Sequence, residues 1–97
     1  MLAETELCKI EFGAKFNKSV SNLPPSLEVL ILGSEFNQEL NNLPTNLKFI
    51  SLACSEKFDY SLDYLPAGLE NLELHEYWYK SLENLPTGIK INFVQTM

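Results

Sequence analysis

The feature that most constrains this chain is a repeated string. LPPSLEVLIL at 23–32 returns as LPTNLKFISL at 43–52, as LPAGLENLEL at 65–74, and shortened as LPTGIKINF at 85–93. The Leu-Pro pairs start at 23, 43, 65 and 85, so the steps are 20, 22 and 20 residues. Self-similarity at such a period marks units that cannot bury their own apolar face and do so by stacking. A single domain over residues 1–97 follows, with strand-bearing units starting near 7, 27, 47, 69 and 89.

Aligned, the units assign a job to each column. Leu7, Ile10 and Phe12 open the series, followed by Leu27, Leu30 and Leu32, then Leu47, Ile50 and Leu52, then Leu69, Leu72 and Leu74. Ile89, Ile91 and Phe93 complete it if one residue is deleted after Lys90. The last two positions of each set differ by two, which is strand periodicity. The leading position lies where the chain turns into the strand. Proline has no N–H to give a ladder, so Leu-Pro belongs in that turn.

The return path has its own columns. Phe16, Phe36, Phe58 and Trp78 follow the strands, and Val20, Leu40, Leu62 and Leu82 come four residues later. Two extra residues between Ala53 and Lys57 explain the 22-residue step. About ten residues leave no room for a long helix; extended turns are expected, with one helical turn near Ser19–Ser21. Asn17, Asn37 and Asp59 form one polar column, and Asn22, Asn42 and Asn84 another. Buried backbone groups need partners that no helix supplies, and asparagine donates and accepts, so one column can bridge successive turns. Tyr79 interrupts the first column and Tyr64 the second, so those turns are expected to be less regular.

Charge narrows the partners. The chain has seven lysines, no arginine, and thirteen acidic residues, for a net charge of -6. Without the forked guanidinium that reads phosphates and base edges, nucleic acid and anionic membranes are not expected partners. No apolar run approaches the ~18 residues of a membrane span. The segment MLAETEL lacks the basic and apolar regions of a signal peptide. Cys8 and Cys54 have no metal-ligand spacing and lie too far apart to pair, and free thiols suit a reducing compartment. A cytoplasmic location is expected, host cytoplasm if the protein is viral.

The pairs Phe16-Asn17 and Phe36-Asn37, with LPPSL and LPTNL after them, resemble the FNIP repeat. The pattern runs from residue 7 to about 93, with departures at Phe58-Asp59 and Trp78-Tyr79. The resemblance implies an α/β-type but mostly β repeat solenoid: a right-handed, leucine-rich-repeat-like coil with about five short parallel strands on its concave side. Arrays of this family often accompany an F-box that recruits a ubiquitin ligase. Only six residues precede the first unit, so ligase recruitment is not expected of this chain itself.

No catalytic set emerges, and an enzyme is not expected. His75, between Glu73 and Glu76, directly follows the last core leucine of its strand and reads as solvated surface. Cys54 near Lys57 reads as an inert thiol, and the four glycines form no phosphate loop, so no cofactor or metal is expected. Trp78 belongs to the aromatic column, with Tyr77 and Tyr79 beside it as contact candidates.

The positions between core residues say more. They read Lys9 and Glu11, Val29 and Ile31, Phe49 and Ser51, Asn71 and Glu73. Nothing in the repeat requires Val29, Ile31 and Phe49 to be apolar, although such residues also favour strands generally. The expected function is a non-catalytic protein–protein interaction module. Its protein-binding site would comprise Val29, Ile31, Phe49, Ser51 and Glu73, with Glu11 at the border. The alternative is a structural repeat protein that stacks end to end, or caps a larger array, through open ends; such ends would give a homo-oligomer.

Overall fold

The computed structural model describes residues 8–95. Leu7 and the glutamate-bearing N-terminal segment, like residues 96–97, lie outside the described residues. Five strands appear in chain order: β1 (Lys9–Glu11), β2 (Val29–Ile31), β3 (Phe49–Leu52), β4 (Asn71–His75) and β5 (Lys90–Val94). They form one sheet in the order β1-β2-β3-β4-β5, every pair parallel. The chain is a β-solenoid of about four coils, with each strand packed only on its sequence neighbours. Among the described residues there is no helix, which corrects both the α/β-type expectation and the helical turn near Ser19–Ser21. Serine caps replace it: the Ser21 N–H donates to Ser19 Oγ at 3.3 Å, Asp63 to Ser61 at 3.5 Å, and Glu83 to Ser81 at 3.1 Å. A hydroxyl that satisfies the backbone two residues on makes a tight turn without a helix.

The register places the columns as the repeat demands. Ile10, Leu30, Ile50, Leu72 and Ile91 sit side by side across the sheet. Leu27, Leu30, Leu47, Ile50, Leu52, Leu72 and Leu74 have no accessible surface. Strands β2 to β5 are each entered through a turn that starts at the proline. Leu27, Leu47, Leu69 and Ile89 donate their N–H to the carbonyls of Pro24, Pro44, Pro66 and Pro86 at 3.1–3.3 Å. The coils are then tied by shared carbonyls. Cys8 O accepts from both Glu28 and Val29, Glu28 O from Lys48 and Phe49, and Lys48 O from Glu70 and Asn71. At the last coil Glu70 O receives only Lys90, which is where the sequence is one residue short.

A ladder of aromatic rings fills the return side. Phe16, Phe36, Phe58 and Trp78 stack with centroids 6.2, 5.9 and 5.7 Å apart and planes within 18° of parallel. Phe12 lies against Phe16 at 3.7 Å. Offset parallel rings at these distances add attraction beyond their buried area. The insertion before Phe58 is absorbed by Ser55, which is fully buried and donates to the carbonyls of Leu32 (3.2 Å) and Gly33 (2.8 Å).

The asparagine column bridges coils, through the backbone. Asn37 N–H donates to Asn17 Oδ1 at 2.7 Å, and Asp59 N–H to Asn37 Oδ1 at 2.8 Å. Tyr79, expected to interrupt this series, extends it by donating its hydroxyl to Asp59 Oδ1 at 2.6 Å. The second column makes no such ladder: Asn84 Nδ2 reaches Asp63 Oδ1 at 3.1 Å, while Asn42 serves its backbone, at φ 53°. Asparagine is among the few residues that adopt this left-handed conformation at low cost.

One core assignment needs correction. Phe93 pairs with Leu74 in register but is 53% exposed, because no described coil lies over β5. Ile91, Leu82, Leu85 and Ile89 are likewise only partly buried there.

Candidate functional site

Alternation along the strands turns every second side chain away from the core. The outward residues line up in two rows across the sheet. The first reads Lys9, Val29, Phe49, Asn71, Lys90, and the second Glu11, Ile31, Ser51, Glu73, Asn92. Val29 and Phe49 are direct cross-strand neighbours, with Ile31 beside them in the second row. All three are half-buried by their neighbours alone. They form one apolar strip among outward residues that are polar apart from Val94, which pairs with His75 at the far end of β5.

Ser51 and Glu73, the polar members of the expected site, are coupled. Ser51 Oγ donates to Glu73 Oε1 at 2.8 Å and accepts the Ala53 N–H at 3.3 Å. Ser51 is only 6% exposed, so it offers little surface and acts by fixing the Glu73 carboxylate. Val29, Ile31, Phe49 and Glu73 remain available on the face.

A recess of about 390 Å³ adjoins this face at the ends of β1 and β2. Gly13 and Gly33 leave it open, Phe12, Ile31 and Leu32 give it apolar walls, and Glu11 and Cys54 stand at its edge. Gly33 has a structural reason to lack a side chain: a Cβ there would lie 2.7 Å from Gly13 O and 2.9 Å from Ala14 Cα. The residue after Phe12, Leu32, Leu52 and Leu74 is Gly13, Gly33, Ala53 and His75 in turn, so the groove is filled farther along the coil.

His75 is not solvated, contrary to the sequence expectation. It is 6% exposed, with its ring edge against Trp78 at 6.1 Å, and its Nδ1 accepts the Tyr77 N–H at 3.2 Å. Its carbonyl closes the turn onto the Trp78 N–H, as those of Gly13, Gly33 and Ser55 do onto their aromatics. The imidazole is therefore a packed turn residue. Among the described residues no group of three His, Cys, Asp or Glu could hold a metal ion. Cys8 and Cys54 are both free and exposed.

Trp78 sits half-buried in the aromatic ladder as expected, while Tyr77 and Tyr79 are 70% and 76% exposed. Tyr79 and Lys80 converge on Asp59, with Lys80 Nζ 3.2 Å from its carboxylate. The Tyr79 hydroxyl first, then Lys80, holds the Asp59 carboxyl below its ordinary value. The hydrogen bond to Asp59 in turn raises Lys80.

The FNIP Repeat family model matches residues 16–55. That stretch is FNIP repeat. It contains Phe16-Asn17, Phe36-Asn37, β2 and β3, and so the whole apolar strip. In this FNIP segment the paired Phe and Asn have separate tasks: the ring stacks on the next ring, and the carboxamide accepts the next coil's N–H. Val29, Ile31, Phe49 and Ser51 fall within the matched residues, and Glu73 lies beyond them. No curated protein matches the chain. Among the described residues no helix is long and apolar enough to cross a membrane.

Proposed function

We propose that this FNIP-repeat coil is a non-catalytic protein-binding module that uses the outer, concave face of its sheet in the manner of leucine-rich repeats. The observation that carries the reading is the cross-strand register of Val29 with Phe49, beside Ile31. The repeat needs only the inward residues for folding, so three large apolar groups on the outward rows stand outside its structural requirements. Glu73, held by Ser51, gives the strip a fixed acidic border. The absence of arginine disfavours nucleic acid, and two free thiols suit the cytoplasm.

The test is capture of partners from the native host by wild type and by the double variant Ile31→Glu, Phe49→Glu, with mass spectrometry. Loss of partners at an unchanged unfolding midpoint supports the module; an unchanged partner set overturns it.

A second reading is favoured by Phe93. Its exposed ring, with β1 and β5 each paired on one side only among the described residues, suits end-to-end association into a homo-oligomer. Light scattering over a concentration series decides it: growth that Phe93→Ser suppresses supports stacking, and a constant monomer excludes it.

A further inference from the structure

The second outward row has a charge pattern that specifies a ligand more narrowly than an apolar strip does. In the order Glu11, Ile31, Ser51, Glu73, Asn92 it carries two carboxylates and no cation. Neither carboxylate has an ion-pair partner among the described residues. Glu73 is oriented by Ser51, while Glu11 stands at the mouth of the recess floored by Gly13 and Gly33. The lysines of the face, Lys9 and Lys90, belong to the other row.

Spacing converts this pattern into a sequence. Glu11 and Glu73 are three strand steps apart, about 14 Å at ~4.8 Å per step. An extended chain crossing the sheet advances ~3.3 Å per residue, so about four residues span that distance. Alternate side chains face the same way, so positions i and i+4 reach the two carboxylates and i+2 falls between them. The i+2 side chain then falls between Ile31 and Ser51, next to the recess, whose walls are apolar.

We infer that the second row and its recess bind an extended peptide segment of the form basic–x–apolar–x–basic. This rests on the module reading above and adds the chemistry and spacing of the partner. The basic groups pair with Glu11 and Glu73, the central aliphatic side chain enters the recess beside Ile31, and the glycines give it room. Lys9 and Lys90 repel such a segment from the first row and so fix which row it follows.

The experiment uses the labelled peptide AKALAKA and two controls, AEALAEA and AKADAKA, in fluorescence polarisation with the full chain. AKALAKA is expected to bind with a Kd of about 0.1–1 mM, more weakly as salt rises. Neither control should bind. Glu11→Gln with Glu73→Gln removes both charges while leaving one accepting oxygen on each side chain, and should weaken AKALAKA about three- to tenfold. Bound peptide should slow alkylation of Cys54 at the edge of the recess, leaving Cys8 unchanged. Equal binding of AEALAEA, no binding of AKALAKA, or an unaffected double glutamine variant overturns the inference. Its failure is separable from that of the module: if Ile31→Glu, Phe49→Glu still strips cellular partners, only the peptide pattern falls.

Discussion

Asn37 Oδ1 accepts the backbone N–H of Asp59 at 2.8 Å, one full coil further along the chain. The Asn37 N–H makes the same bond back to Asn17. One side chain thus does between coils what a helix does within a turn, giving a loop amide its acceptor.

Removing that acceptor should be measurable. Asn37→Ala is expected to destabilise the fold by about 1 kcal/mol in urea unfolding, and to speed amide exchange selectively at Asp59. Unchanged exchange at Asp59 would show that the bond carries no protection.

The aromatic ladder should cost more to break in the middle than at its end. Phe36 is fully buried between two rings, whereas Phe16 is only partly buried. Phe36→Ala should lose about 3–5 kcal/mol, a large share of the ~5–15 kcal/mol of an ordinary domain. Phe16→Ala should lose less, and the ranking is read from the two urea midpoints.

Two glycines one coil apart should respond oppositely. Gly33→Ala places a Cβ against the Gly13 carbonyl and should cost about 1–3 kcal/mol by overpacking. At Gly13 a Cβ meets nothing within 4 Å, so Gly13→Ala should be neutral or stabilise by about 0.4–1 kcal/mol through the unfolded chain. Calorimetry of both variants checks the contrast.

The Asp59 cluster predicts a pH dependence with a definite sign. A carboxyl held below its ordinary 3.8 contributes stability above that value and loses it as pH falls through the lower, folded-state value. Lys80, raised above 10.5, contributes below that value and loses it as pH rises through its higher, folded-state value. Tyr79→Phe removes the largest cause of the Asp59 shift, so an NMR titration should find that carboxyl moved upward. An identical titration curve would disprove the assignment.

Much of this architecture could be read from residues alone. Leu30, Ile50 and Leu72 occupy one column because the strand period and the repeat period agree, and no other element competes for them. The outward strip was legible for the same reason: once the inward residues are assigned, Val29, Ile31 and Phe49 are what remains. Individual environments that depend on the neighbouring coil were not legible. Ser55 is buried because the inserted turn folds back onto two carbonyls of the preceding coil. His75 is buried because its turn brings Trp78 over it. The bond from Ser51 to Glu73, its partner one coil on, was not legible either, because it needs the register between the two strands. Phe93 follows the repeat rule and is exposed anyway, since burial in a coil is supplied by the next one. The recess could have been suspected from the column Gly13, Gly33, Ala53, His75, in which side-chain volume grows along the chain.

Because each strand packs only on the strands before and after it in sequence, no coil is indispensable to the meaning of another. A tandem duplication of residues 33–52 would join Leu52 to a second Gly33, reproducing the junction at Leu32 and Gly33. It would add one ring to the aromatic ladder and one outward pair to the sheet, lengthening the surface while leaving its existing letters in place. Length in such a molecule is an inheritable variable, and surface chemistry can diverge coil by coil after each copying.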